Sequence, residues 1–326
     1  MMDLGGMLWS LWLLALAGWL LGNLWAYISL RFADNPYFSP ESRARRVLLL
    51  ATLPWLLPLI LITLLNAVPL VKANHWLTDH CRDHSHGHLH ACDATALSFN
   101  LPLDLGYANL AVTGLIMLFL FTNFLRLLWR EWQMHQRLHM LSVFAHGRQR
   151  LRVLDDQRPI ALAAGLHNRF VLLSTGLLQQ LTYRERRVVL AHEFAHLRRA
   201  DPLRNLVFEF LLTLHLPWQA TTLRRLWQQA QEEAADDAAV SHFGRDTVAS
   251  TLLRVIRVSQ AYRTERCSAV GANAVQRIQR LLSSGEHEPR SLVFESTHML
   301  GLLALGALAL LHHHTLETLA AWIMGV

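Results

Sequence analysis

Long apolar runs are the feature that most constrains how this chain can fold. A helix that crosses the roughly 30 Å hydrocarbon layer of a membrane needs about 20 apolar residues. Four runs of about this length occur, at residues 7–30, 47–71, 103–128 and 292–311. Hydrophobic residues make up 52% of the chain and charged residues only 17%, which is typical of a membrane protein. We therefore predict four transmembrane helices, and we expect the first to be retained because it lacks the basic leader and cleavage pattern of a signal peptide.

The distribution of basic residues predicts the orientation of these helices. Arginines collect between the first two runs and after the third, at Arg31, Arg43, Arg45, Arg46, Arg126, Arg130, Arg137, Arg148, Arg150 and Arg152. Basic loops stay on the cytoplasmic side, so we expect both termini outside and residues 129–290 in the cytoplasm. The net charge of +6 is explained by these flanks, which bind anionic lipid. We therefore expect membrane lipid, and no nucleic acid, as a direct partner.

The predicted outer loop, residues 72–100, contains two cysteines and a cluster of histidines. Cys81 and Cys92 lie on the oxidising side and can form a disulfide. Alternating histidines lie between them, a composition suited to divalent metals: His84, His86, His88 and His90. Two interpretations stay open. The loop is either a metal sensor or a solvated loop, closed by the disulfide, that binds metal only adventitiously.

Residues 129–290 are long enough to form one domain of ordinary size. Short β-type runs at residues 151–154, 160–163 and 169–174 predict a small sheet. Thr182 and Glu185 then form a capping-box pattern, which predicts the start of a helix that carries residues 192–196.

The pentad from His192 to His196 reads H-E-x-x-H. Residues four apart share one face of a helix, so two imidazoles can hold one Zn²⁺ while Glu193 acts as a base on water. An extended metzincin pattern would need glycine at position 199 and histidine at position 202, but the chain has Arg199 and Pro202. The third ligand must therefore come from another segment.

A second helix, predicted at residues 222–240, supplies candidates for that ligand. Glu232 and Asp236 share a face, and Glu233 and Asp237 offer a second register one position further on. We take Glu232 as the third zinc ligand and Asp236 as the carboxylate that orients a ligand imidazole. Three protein ligands leave a fourth position open, at which zinc activates water for attack on a peptide carbonyl. A merely solvated acidic face is the alternative interpretation.

The apolar segment 203–218 lies between the two helices and is 16 residues long. A single crossing of the membrane here would separate Glu232 from the two histidines, so we predict an interfacial or re-entrant hairpin. We also expect the substrate to pair as an extended strand along residues 169–174. Candidate donors for the developing oxyanion are Arg198, Arg199, Asn205 and His215.

Together these segments resemble the M56 family of bacterial membrane metallopeptidases, the family of the antibiotic-sensing BlaR and MecR signal transducers. The resemblance rests on three apolar runs before the pentad and one after it, on the pentad itself, and on residues 216–218, 232–240 and 277–282. It implies a mainly α, polytopic membrane protein with a cytoplasmic α+β zinc peptidase domain of the gluzincin type. Zn²⁺ is then the cofactor, with His192, His196 and Glu232 as its ligands. Glu193 is the base, and Asp236 is the carboxylate that orients a ligand imidazole.

The resemblance also implies a role at the bacterial inner membrane in signal transduction, by cleavage of a cytoplasmic repressor or of the protein itself. The penicillin-binding domain of the known sensors is not among these 326 residues, so we expect no β-lactam receptor. Two alternatives stay open. One is a membrane quality-control protease of the M48 kind, and the other is a non-enzymatic metal-binding receptor with a structural zinc site.

Overall fold

The computed structural model describes residues 4–33, 38–73, 104–143, 145–147, 150–166, 168–261 and 268–283, together with residues 35, 300, 301 and 304. Three long helices come first: α1 (Leu4–Ala33), α2 (Pro40–Ala73) and α3 (Asp104–Val143). Four strands follow: β1 (Ala145–His146), β2 (Leu151–Leu154), β3 (Ala161–Ala164) and β4 (Phe170–Ser174). The last helices are α4 (Thr175–Gln180), α5 (Tyr183–Arg198), α6 (Asp201–Leu211), α7 (Pro217–Phe243), α8 (Arg245–Ala261) and α9 (Ser268–Leu282). The described part of the chain is thus mainly helical, as the sequence predicts.

Two of the described helices are long and apolar enough to cross a membrane. They are Pro40–Thr63 in α2 and Ala111–Met134 in α3, each of 24 residues, with mean hydropathies of 2.0 and 1.9. They correspond to the second and third predicted spans. The first predicted span lies within α1, whose described residues include no stretch that is both long and apolar enough to count as a candidate span. The fourth, residues 292–311, lies almost wholly outside the described residues, so the structure supports two of the four predicted spans.

Helices α1 and α2 pack closely through two glycines. A Cβ atom on Gly18 would lie 2.5 Å from the Cα of Pro58, and one on Gly22 would lie 2.8 Å from the Cα of Pro54. The four-residue spacing puts both glycines on the face of α1 toward α2, the arrangement by which small residues let membrane helices approach. Larger side chains at these positions would separate the two helices.

The strands form one sheet in the order β1-β2-β4-β3. Strand β2 pairs in parallel with β4, while β3 pairs antiparallel with β4 and β1 antiparallel with β2. Gly165, at φ 94°, turns the chain between β3 and β4, where any Cβ would lie 2.1 Å from the carbonyl oxygen of Asn168. The predicted strands agree with β2, β3 and β4 to within one residue at each end. Strand β1 was not predicted, since two residues are too short to show a pattern.

The prediction that a substrate peptide pairs along residues 169–174 is wrong. Strand β4 is already paired on both sides, with β2 and with β3, so its backbone groups are occupied. The edges of the sheet are β1 and β3, and β3 is the edge strand beside α5. The carbonyl of Ile160 accepts a hydrogen bond from the N–H of Ser174 in β4 at 2.9 Å. Successive residues of a strand direct their backbone N–H and C=O groups to opposite sides, so those of Ala161 and Ala163 point away from β4.

The chain reverses direction within the apolar segment 203–218. Helix α6 ends in a single 3₁₀ turn, Leu212–Leu214, after which α7 runs back. The indole N–H of Trp19 donates to the carbonyl of Leu214 at 2.7 Å, and that of Trp55 donates to the carbonyl of Leu211 at 2.9 Å. Side chains of α1 and α2 therefore satisfy the carbonyls that the end of α6 leaves open. The predicted reversal is present, while the depth of this hairpin in the bilayer stays a prediction.

Helix α7 packs against two different parts of the molecule. Its face toward α2 is buried in an apolar cluster that includes Val47, Leu50, Leu53, Leu57, Leu223, Leu226, Trp227 and Ala230. Further along, Ala239 packs with Val188 of α5 and Val248 of α8. Helix α7 therefore joins α2, one of the two candidate membrane spans, to the domain that carries the H-E-x-x-H pentad.

Candidate metal centre

The start of α5 determines where the pentad faces. The hydroxyl of Thr182 accepts from the N–H of Glu185 at 3.4 Å, and the Glu185 carboxylate accepts from the N–H of Thr182 at 2.7 Å. The predicted capping box is therefore present. From this start the helix continues without interruption to Arg198, so His192 and His196 lie one turn apart on the same face.

Three side chains from α5 and α7 meet at one point. The Nε2 atoms of His192 and His196 lie 3.2 Å apart. The Glu232 carboxylate lies 3.5 Å from Nε2 of His192 and 3.6 Å from Nε2 of His196. Zn–N and Zn–O bonds of about 2.1 Å in a tetrahedron place ligand atoms about 3.4 Å apart, so these three groups fit a zinc ion. Among the described residues, this is the group of three whose ligand atoms are close enough for one metal.

The other ring nitrogen of each histidine faces a carboxylate. Nδ1 of His192 lies 3.0 Å from Asp236, as the sequence predicts, and Nδ1 of His196 lies 2.7 Å from Asp201. A carboxylate accepts hydrogen bonds, so in a neutral imidazole the proton belongs on Nδ1 and the lone pair on Nε2. Two lone pairs would then face each other at 3.2 Å, an arrangement that a bound cation stabilises.

Sequence reasoning missed Asp201, which lies five residues after the second histidine. Ala200 adopts a left-handed conformation, with φ 54° and ψ 40°, and this single residue turns the chain back after α5. Such a conformation is unfavourable for alanine by about 1–2 kcal/mol, so the surrounding contacts must hold it. Arg199 and Arg204 supply two of those contacts, since both bind the Asp201 carboxylate. The only sequence signal was an acidic residue followed by proline at a helix start.

Two arginines of α9 each bind one of the two acidic pairs of α7, Glu232 with Asp236 and Glu233 with Asp237. Arg277 donates to Asp236 at 2.7 Å and to Glu232 at 2.8 Å. One turn later, Arg280 donates to Asp237 at 2.6 Å and forms an ion pair with the carboxylate of its neighbour Glu233 at 3.3 Å. The Glu232 register is therefore the one that faces the histidines. The sequence had not assigned a role to either arginine.

Charges around the metal centre shift several ionisation equilibria. Burial opposes the charged form of His192, but the carboxylates of Asp236 and Glu232 outweigh it and raise the pKa of the imidazole to about 9. Burial also opposes charge on Glu232, yet the hydrogen bond with His192 and the charge of Arg277 hold the pKa of its carboxyl well below the ordinary value. Without an ion, this geometry therefore stabilises a protonated imidazole beside an ionised carboxylate.

Glu193 is buried beside the three ligands. Its burial raises the pKa of the carboxyl, while the two imidazoles and a hydrogen bond from the backbone of Ala163 lower it by less. Ala163 belongs to β3, one of the two edge strands of the sheet. Glu193 thus lies between the metal centre and the strand that can pair with an extended peptide.

A cavity of about 360 Å³ opens at the same place. The polar part of its lining includes His192, Glu193, Glu232 and Arg277. The apolar part includes Leu177, Val188, Ala239, Val248, Leu252 and Val255. The centre therefore has room for a peptide side chain of moderate size next to the reactive groups.

Three of the four predicted oxyanion donors bind other groups of the protein. Arg199 donates to Asp201 and to the carbonyl of Gln231. His215 is buried against the carbonyl of Ala51, and Asn205 accepts from an indole N–H. These three groups hold the hairpin and the α6–α7 contact, while Arg198 is exposed at the end of α5.

The comparison with known families agrees with this geometry. The model of the family described as Peptidase family M48 matches residues 128–298, just over half of the chain. The chain belongs to peptidase family M48. Members of this family are zinc-dependent, and the group of His192, His196 and Glu232 is consistent with that cofactor.

Membership in family M48 modifies the resemblance drawn from the sequence. The zinc metallopeptidase assignment stands, but the family match does not support the narrower M56 assignment. No curated protein matches the chain. The predicted sensing histidines His84, His86, His88 and His90 and the predicted disulfide of Cys81 and Cys92 lie outside the described residues.

Proposed function

We propose that this M48 peptidase is a membrane-bound zinc endopeptidase that hydrolyses proteins on the cytoplasmic side of a bacterial inner membrane. One observation carries the proposal: His192, His196 and Glu232 converge on one point, with Glu193 and an open strand edge beside it. The two apolar helices and the arginine-rich flanks support the membrane location and its orientation.

Each residue of the centre has a definite part in hydrolysis. Zn²⁺ bound here would supply a Lewis acid that activates water and polarises the peptide carbonyl. Glu193 accepts a proton from the attacking water. Burial raises the pKa of its carboxyl toward neutral pH, and a general base is most effective when its pKa lies near the working pH. Asp236 and Asp201 keep the proton of each ligand imidazole on Nδ1 and so direct Nε2 toward the centre. Arg277 holds Asp236 and Glu232 together on α7.

The open edge of β3 supplies the binding mode for substrate. The backbone groups of Ala161 and the carbonyl of Ala163 pair with an extended peptide, which then passes beside Glu193, the acceptor of the Ala163 N–H. The apolar part of the cavity receives one side chain of that peptide. Main-chain pairing is independent of sequence, so recognition depends mainly on one apolar residue near the bond that is cleaved.

Such loose recognition favours degradation of many proteins, which is the quality-control function. Misfolded membrane proteins offer extended, apolar segments close to the bilayer, where the α6–α7 hairpin contacts α1 and α2. We therefore propose misfolded membrane proteins as the main substrates.

Cleavage of one regulatory protein, such as a cytoplasmic repressor or the peptidase itself, is the second candidate. The observation in its favour is the histidine-rich loop at residues 80–92, whose composition suits a metal signal from outside. A non-enzymatic receptor is disfavoured, because a structural zinc site is closed by four protein ligands and the described residues supply three.

The Glu193→Gln variant tests the proposed chemistry. It removes the base while keeping the shape of the side chain, so we expect zinc to stay bound and cleavage to fall by about 10²-fold or more. Glu185→Gln is the matched control on the same helix, because glutamine also suits this capping position. Cleavage by E193Q at the rate of E185Q would refute the role of Glu193.

A survey of protein fragments in cells distinguishes the two substrate classes. Cells with the wild-type protein and cells with E193Q are compared by mass spectrometry. Quality control predicts many fragments with an apolar residue next to the cleaved bond. A single fragmented protein in the wild type would instead favour the regulatory function.

A further inference from the structure

Adjacent glutamates of α7 face different partners. Successive residues of an α-helix point about 100° apart, so Glu232 and Glu233 cannot face the same neighbour. Glu232 faces the two histidines of α5. Glu233 faces α2, where Arg43 in the first turns of that helix forms an ion pair with it. A membrane helix therefore contacts the residue next to the third metal ligand.

The ion pair between Arg43 and Glu233 is deeply buried. The two side chains are 7% and 3% exposed. Glu233 also accepts from the amide of Gln229 at 3.0 Å and pairs with Arg280 at 3.3 Å. A buried charge that loses its partner is costly, so the side chains of this pair are strongly held in register with each other.

A second contact fixes α7 near its other end. Nε2 of His215 lies 3.2 Å from the carbonyl of Ala51 on α2, and the amide of Gln219 donates to the carbonyl of Asn23 on α1 at 3.0 Å. Gln219 and Glu233 are separated by about 21 Å along α7, at 1.5 Å per residue. Contacts at both points, with a continuous apolar cluster between them, prevent α7 from sliding along α2.

We propose that Arg43 is a positioning residue of the metal centre. Through Glu233, the membrane helix α2 sets the position of α7 along and about its axis, and so places Glu232 opposite the histidines. A shift of one residue would move α7 by 1.5 Å and turn it by 100°, which removes Glu232 from the centre. Metal ligands must be held within about 0.5 Å, so small shifts also weaken binding. The inference rests on the proposed function, because it concerns the same centre.

Zinc affinity of the full-length protein in lipid nanodiscs tests this role. Three variants are compared with the wild type by competition against a chromophoric zinc chelator. We expect Arg43→Met to weaken zinc binding about tenfold. This is the low end of the loss of metal affinity that follows replacement of residues that hold the metal ligands in position. Arg43→Lys keeps the charge and should recover most of the affinity. Arg45→Met is the matched control, since Arg45 is an exposed residue of the same turn, and it should bind zinc as the wild type does.

The split between kcat and KM gives a second readout. With zinc in excess, R43M should lower kcat and leave KM unchanged, because the substrate binds at β3 and in the cavity, whose lining residues do not include Arg43. Should R43M fail to fold, Glu233→Gln keeps the side-chain shape and replaces it in the same measurement, with the same expected loss of affinity.

Zinc affinity of R43M equal to that of R45M would overturn the inference, as would a loss that R43K does not recover. Zinc binding is measured independently of proteolysis, so the test of Arg43 and the test of the proposed function can give different outcomes. A wild-type protein that binds zinc but cleaves no protein would refute the proposed function and leave the role of Arg43 standing.

Discussion

Asp201 offers the sharpest test of how the centre is built, because the structure alone identifies it. Asp201 is 3% exposed, and its carboxylate lies 2.7 Å from Nδ1 of His196. Asp201→Ala removes this charge-assisted hydrogen bond, which is worth about 1.5–3 kcal/mol. At about 1.4 kcal/mol per factor of ten, zinc affinity should fall about 10- to 150-fold. The imidazole of His196 would then be free to rotate and to carry its proton on either nitrogen.

The assay is zinc competition on the full-length protein, together with its thermal unfolding without zinc. Asp246→Ala is the control, because this carboxylate is exposed at the start of α8. Arg204→Ala removes a contact to the other oxygen of Asp201 and should have the smaller effect, since the hydrogen bond to His196 remains. If D201A bound zinc as tightly as D246A, the carboxylate would have no part in holding His196 and the reasoning would be refuted.

Four further predictions follow from the contacts and the cavity of the metal centre. Arg277→Met should lower zinc affinity about tenfold or more, because Glu232 and Asp236 would repel each other without the cation between them. The same zinc competition measures this, and unchanged affinity would contradict it. The raised pKa of His192, about 9 without an ion, means that zinc displaces a proton at neutral pH, so calorimetry in buffers of different ionisation enthalpy should detect proton release. For the same reason the contribution of His192 to the stability of the zinc-free protein should be full below pH 6.5 and be lost as the pH rises through about 9, and an unchanged stability between these pH values would count against it. Val248→Ala should enlarge the apolar part of the cavity and move the substrate preference toward larger side chains by about 10-fold in kcat/KM, as peptide-library cleavage would reveal.

Much of the fold was predictable because it depends on local patterns. The capping box of Thr182 and Glu185 specifies the start of α5 from four consecutive residues. Alternation and turn residues located β2, β3 and β4 to within one residue. Apolar length identified α2 and α3 as candidate spans. Each of these signals depends on neighbours in the chain, which a sequence displays directly.

The order of strands was not predictable in the same way. Peptide pairing was expected along residues 169–174, yet this apolar run forms β4, an internal strand with both edges occupied. The run that became β3 lies at the edge of the sheet next to Glu193, and only the assembled sheet reveals this.

The sequence by itself determined the reactive groups: the spacing of His192, Glu193 and His196 on one helix, and an acidic helix able to supply a third ligand. Tertiary structure alone decided which register of that helix faces the histidines, and that Asp201 and Arg277 hold the ligands in place. The physical reason is the range of each interaction. Helix periodicity relates residues three or four apart, whereas the rotation of α7 depends on Arg43, 190 residues away in sequence, and on the packing of α2, α5 and α9 around it.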